Sequence, residues 1–306
     1  MERPRAGAWC VGSARYQVAH GGREPLSDLG GSVVAVDSEL LPELLRSVGT
    51  ALPPGRMITP DEGTGVEPRL WLSEGPAPAG LWARVLGARA GLWPLLLIPV
   101  DGDGDCRPWA TGELYPQGMS APGDHDPYAL LARWWQRHTA PDKDDDPSSR
   151  AARLAVTAPF GETWPGPAPA RADVAGADRT AVEWSDFLAS LHPEARLGLV
   201  AAECGADTLA ALGWQGPVNH EGDTATCAAV VRSWEERFGA RVVAIGFDTL
   251  HLSVAAPPTS HAEALAVAAE HFAFCPDNIE QGAGPPSLNA YAERLVDTEY
   301  WTFWWD

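Results

Sequence analysis

Glu270-His271 and Cys275 place a carboxylate, an imidazole and a thiol within six residues of chain. His271 and Cys275 are four apart, so a helix presents them on one face. That spacing would serve nucleophilic catalysis by a cysteine with a histidine base, provided the thiol is exposed and ionised. Phe272 and Phe274 lie between them, and cysteine is among the residues most often buried, so core packing is the preferred reading. Glu270 and His271 are adjacent and point about a quarter-turn apart, so they do not face each other. A fourth candidate, His220, sits in Asn219-His220-Glu221-Gly222-Asp223. This stretch reads as a turn in which Asp223 or Thr224 caps the next helix. His220 could also approach an anion held at that helix start. An active site made of His220, Glu270, His271 and Cys275 requires all four to converge.

The residues suited to binding are Trp214, Asn219, Asp277, Asn278, Trp304 and Trp305. In Trp304-Trp305, as in Trp134-Trp135, neighbouring rings fall on different sides of their element. One ring of each pair belongs to the core, and the other is free to line a recognition groove. His251 lies on the polar side of an alternating strand and is expected to be exposed.

Metal and cofactor chemistry find little support. Asp101-Gly102-Asp103-Gly104-Asp105 opens like a calcium loop, but Cys106 replaces the glycine of the sixth position and Gly112 the glutamate of the twelfth. It reads as a turn. The cysteines (Cys10, Cys106, Cys204, Cys227, Cys275) show no CxxC or Cys/His ligand spacing. No glycine-rich phosphate loop, GxSxG, HExxH or dinucleotide fingerprint occurs, and no cofactor is expected.

A formal charge of -19 opposes nucleic acid and anionic membrane surfaces, which need lysine and arginine. It allows a basic protein partner or a cationic ligand, although solubility alone explains it. The longest apolar run, Leu92 to Val100, is interrupted by Pro94 and Pro99 and is too short to span a bilayer. The first residues lead into no apolar signal segment, so the cytoplasm is the expected address. Nothing in the chain specifies an oligomeric state. The 14 tryptophans, spread over the whole length, point to aromatic-rich cores.

Periodicity places strands at Ser32–Val36, Arg69–Leu72 and Leu95–Ile98, and helices at Leu40–Val48, Leu81–Ala90 and Tyr128–His138. Asp142 to Ser149 has the charge, proline and serine of a linker. Beyond it come a helix over Thr180–Leu191, a strand over Leu197–Ala201 and a short helix ending at Gly213. A long helix stopped by Gly239 follows, then strands at Arg241–Phe247 and Leu250–Val254. Ser260-His261-Ala262-Glu263 is a capping box, Ser287 caps a last helix, and Tyr300-Trp301-Thr302-Phe303-Trp304-Trp305 forms the closing strand. Rings on both faces of that strand place it inside the sheet or under helices. The fold class is α/β (α+β), as two sandwich domains: 1–140, a linker and connecting helix at 141–190, and 191–306 with the order β-α-α-β-β-α-α-β.

Four segments carry a resemblance. They are Leu212-Gly213-Trp214-Gln215-Gly216, Ser233-Trp234-Glu235-Glu236-Arg237-Phe238-Gly239-Ala240, Ala269 through Ile279, and Phe303-Trp304-Trp305-Asp306. In these the last third of the chain resembles an uncharacterised bacterial family, domain of unknown function 4253. The resemblance implies domain limits and no activity. The preferred functional expectation is a non-catalytic, protein-binding or accessory (immunity-type) protein. The alternatives are an enzyme using the His/Glu/Cys cluster and a small-molecule carrier with an aromatic-lined groove.

Overall fold

The computed structural model describes residues 40–61, 67–88, 90–100, 106–141, 146–282 and 284–306. Cys10, the expected strand at 32–36, the Asp101–Asp105 turn and Asp142–Asp145 lie outside them. In chain order the elements are α1 (Leu40–Ser47), β1 (Gly55–Ile58), β2 (Leu70–Pro76), α2 (Leu81–Ala88) and β3 (Leu92–Leu97). Next come α3 (Pro127–Thr139), α4 (Pro147–Val156), α5 (Ala177–Leu191), β4 (Arg196–Ala201), α6 (Asp207–Leu212) and α7 (Thr224–Phe238). The chain closes with β5 (Ala240–Ile245), β6 (Thr249–Val254), α8 (His261–Phe274), α9 (Asp277–Glu280), α10 (Leu288–Leu295) and β7 (Tyr300–Trp304).

Local chemistry sets the helix limits. Asp223 accepts from the Ala225 amide to start α7, and Gly239 ends it at a positive φ of 61°. Ser260 caps α8 through the Glu263 amide. The Glu263 carboxylate bonds the amide of Thr259, not that of Ser260, so only half of the capping box forms. Helix α4 occupies part of the expected linker. Asp146 accepts from the Ser148 and Ser149 amides and Pro147 takes the first turn, so the residues that read as a linker also start a helix.

Among the described residues, seven strands form one mixed sheet in the order β1-β2-β4-β3-β5-β6-β7. The β3–β5 pair is parallel and the others antiparallel. Strand β4, from the C-terminal part, lies between β2 and β3 of the N-terminal part. The sheet therefore runs across the boundary expected at 141–190, and the two expected sandwiches share it. The reason lies in the apolar runs: β3 is buried along its whole length and β4 at Leu197–Val200, so each needs neighbours on both edges. Pro94, which lacks an amide hydrogen, is accommodated because β3 pairs with β5 only from Leu96 onward.

The order of 191–306 follows the expected β-α-α-β-β-α-α-β, with the one-turn α9 added. Strand β6 departs from expectation, for its supposed wet face is buried and His251 is 8% exposed. Helix α5 covers that face. Trp184 stacks on Tyr300 at 4.4 Å, and the Tyr300 hydroxyl hydrogen-bonds His251 Nδ1. Strand β7 is an edge strand rather than an interior one, yet both of its faces are packed. Trp301 and Phe303 meet α7 and α8, whereas Tyr300 meets α5.

Candidate functional site

Glu270 and Arg237 meet in the interior between α7 and α8. The guanidinium donates twice to the carboxylate, at 2.8 and 2.7 Å. Trp234 Nε1 and the Ala168 amide, each at 2.6 Å, fill the other acceptor sites. Arg237 also donates to Ser233 Oγ and to the Ala168 carbonyl. All four acceptor positions of the carboxylate and four of the five guanidinium N–H groups are engaged, as a buried ion pair requires. Glu270 fastens two helices and the 168 segment, and it has no oxygen left for a substrate proton.

His271 is fully buried in a ring cage of Trp234, Tyr291, Trp301 and Phe303. Its Nδ1 lies 3.0 Å from the Tyr291 hydroxyl. Burial, aided by the charge of Arg237, lowers its pKa to about 3, so the ring is neutral. Cys275 is also fully buried and donates to the Trp304 carbonyl at 3.0 Å. Burial pushes its thiol well above the ordinary range, the opposite of what a nucleophile needs.

The residues expected to bind gather at the end of the chain. Asp277 Oδ2 accepts from His220 Nε2 and from the Asp306 amide, both at 3.0 Å. Asn219 Nδ2 donates to the Asp306 carbonyl at 2.9 Å. Asn278 donates to the Thr302 carbonyl at 2.6 Å and accepts from the Trp304 amide at 3.0 Å. Its carboxamide thus bonds the outer edge of β7 as a neighbouring strand would. Trp304 Nε1 reaches Asp248, and the Trp305 amide reaches the Asp248 carbonyl. Trp214 donates to the Gly246 and Phe247 carbonyls and packs edge-on against Trp305 at 5.5 Å. The 214–223 loop, the β5–β6 turn and α9 therefore converge on the last three residues.

The hydrogen bond His220 donates to Asp277 raises the His220 pKa, outweighing burial and the repulsion of Arg137. Burial pushes the Asp277 carboxyl up, but hydrogen bonds from His220 and the Asp306 amide overcome it and leave the value lowered. Of the four catalytic candidates, only His220 reaches this corner as a part-exposed group, and its partner there is Asp277.

The matched region begins at β4 and ends with the chain. Residues 196–306 match the family described as Domain of unknown function (DUF4253). Comparison with curated proteins and with solved structures returned no match. The DUF4253 region thus holds β4 through β7, including the ion pair, the ring cage and the tail corner.

Sequence reasoning missed Arg237, Asp248 and Glu235 within the DUF4253 region. Arg237 stood in a helix read for its apolar stripe, and its i, i−4 relation to Ser233 was the available signal. Burial lifts the Glu235 carboxyl to about 7 against the charge of Arg241, while one oxygen accepts from the Ala206 amide at 3.1 Å. A second polar group joins the N-cap of α7: Ser120 Oγ donates to Asp223 Oδ2 at 2.6 Å and lies 2.5 Å from His125 Nε2. The aspartate contacts the serine there and lies 3.9 Å from the histidine nitrogen that the serine contacts, unlike a triad in which the carboxylate orients the base. Among the described residues no group of three or more His, Cys, Asp or Glu could hold a metal ion, and no helix is long and apolar enough to cross a membrane.

Proposed function

We propose that this protein acts in the cytoplasm by non-covalent protein binding, as an accessory or immunity-type partner. The observation that carries this reading is the employment of its most reactive side chains. Glu270 is saturated by Arg237, Trp234 and Ala168. His271 is held neutral by burial, and the Cys275 thiol is tied to the Trp304 carbonyl. Catalysis would need those groups open to a substrate. The tail rings, which a carrier would offer to a ligand, pack instead on Trp234, His271 and Phe274.

The test is affinity capture of the full chain from native lysate, followed by reconstitution of the captured pair from purified components. A stoichiometric complex supports the reading. Failure to reconstitute any complex, with turnover of a small molecule that His220→Gln abolishes, would replace it with the enzymatic alternative.

A further inference from the structure

The tail corner combines exposed apolar groups with concentrated negative charge. Val218 is 45% exposed on the 214–223 loop, and Phe247 is 49% exposed in the β5–β6 turn. Soluble proteins scatter single apolar residues over their surfaces. These two, however, stand on loops that the same tail ties down. Val218 precedes Asn219, which bonds Asp306, and the carbonyl of Phe247 is bonded by Trp214 under Trp305. Their backbones are therefore held before any partner arrives, which lowers the ordering cost of binding.

Around them lie the carboxylates of Glu221, Asp248, Asp277, Glu280 and Asp306, with His220, Arg137 and Arg153 as the facing cationic groups, so carboxylates outnumber cations there. Trp134 Nε1 donates to Glu221, and Arg137 donates to the His220 carbonyl. Burial raises the pKa of Asp248 with Asp306 adding to it, and that of Glu280 with Asp277 adding to it. Asp248 and Glu280 thus each feel the negative field of a neighbouring carboxylate. Charge complementarity then selects a cationic partner.

We infer that the corner formed by the 214–223 loop, the β5–β6 turn and the C-terminal residues docks a basic protein segment, with Val218 and Phe247 as its apolar contacts. The inference rests on the binding reading above and names the partner's chemistry. An aliphatic or aromatic side chain of the segment covers Phe247 and Val218. Its arginines or lysines meet Asp248, Glu280 and Asp306 at the rim. Two other surfaces compete. One is the open groove of about 460 Å³ lined by Arg171, Asp173, Asp297 and Glu299, whose apolar part is Ala172, Ala255, Ala256 and Pro257. It offers no large apolar side chain, and Arg171 brings a positive charge. The other is the ridge of Phe187 and Leu191 on α5.

The experiment is amide NMR of the full chain titrated with a synthetic hexapeptide of alternating arginine and leucine. Saturable shifts should centre on residues 214–222, 246–249 and 302–306. Affinity should fall at least tenfold in Val218→Ser/Phe247→Ser and in 0.5 M sodium chloride, with the variant's spectrum otherwise unchanged. Shifts centred on the Arg171 groove or on α5, or an affinity indifferent to the double substitution, would overturn the assignment. If a complex reconstituted from lysate survives the double substitution, the corner is wrong while the binding reading stands. If no complex is ever reconstituted, the reading itself fails.

Discussion

At the scale of single residues, the DUF4253 region spends its ionisable groups on fastening, and pH should expose this. Glu235 keeps its proton to about pH 7 in the fold, against an ordinary value of 4.5. A carboxylate with a raised folded pKa contributes stability below its unfolded value that is lost as pH rises through the folded one. Stability should therefore decline between about pH 4.5 and 7, and Glu235→Gln should remove about 1–2 kcal/mol of that decline in urea melts, the part-exposed site being screened by solvent. His220 and Asp277 behave as a pair. The raised His220 value gives a contribution fully present below 6.5 and lost as pH climbs through it. The lowered Asp277 value gives one present above 3.8 and lost as pH falls through it. The Trp304–Asp306 amides should thus be best protected from hydrogen exchange between those limits, after correction for intrinsic rates, and His220→Gln should flatten the alkaline side. Protection that ignores pH would contradict the clamp. For the buried pair, Glu270→Gln should cost about 3–5 kcal/mol in the same melts, because it leaves Arg237 buried without its counter-charge.

At the scale of elements, most helices were legible because their stop and start chemistry is local. Asp223, Ser260, Gly213 and Gly239 mark limits by residue type alone. The structure of 146–156 was less so, since Asp-Pro-Ser-Ser begins a helix and a linker equally well. Strand β1 escaped because four residues carry too little periodicity. The candidate site was legible in composition but not in contacts: His271 and Cys275 do share the α8 end, yet what buries them comes from α7, β7 and α10. Asn278 illustrates the gap best. Read as a binding residue, it closes the exposed edge of β7. Edge strands that lose such cover invite pairing with other chains. Asn278→Ala should cost about 1–3 kcal/mol and produce time-dependent aggregation visible by light scattering. A variant as soluble and stable as the parent would remove Asn278 from this role.

At the scale of the whole molecule, one sheet threads the two halves of the described chain, which no local pattern could disclose because strand order depends on contacts far apart in sequence. β4 takes both of its neighbours, and β5 its parallel one, from the N-terminal part. Residues 191–306 expressed alone should therefore lack a cooperative thermal transition. A sharp melt of that fragment would show that β4 needs no such neighbours. The same arrangement leaves the tail corner as the place where three connections and the chain end come together, and on the proposal above recognition happens there while the interior polar residues hold the fold. Quantitative affinity capture with three otherwise identical baits (the parent chain, Cys275→Ala and Val218→Ser/Phe247→Ser) tests that claim most directly. The same partner should be retained by the parent and Cys275→Ala and lost from the surface variant. Loss from Cys275→Ala with retention by the surface variant would contradict it.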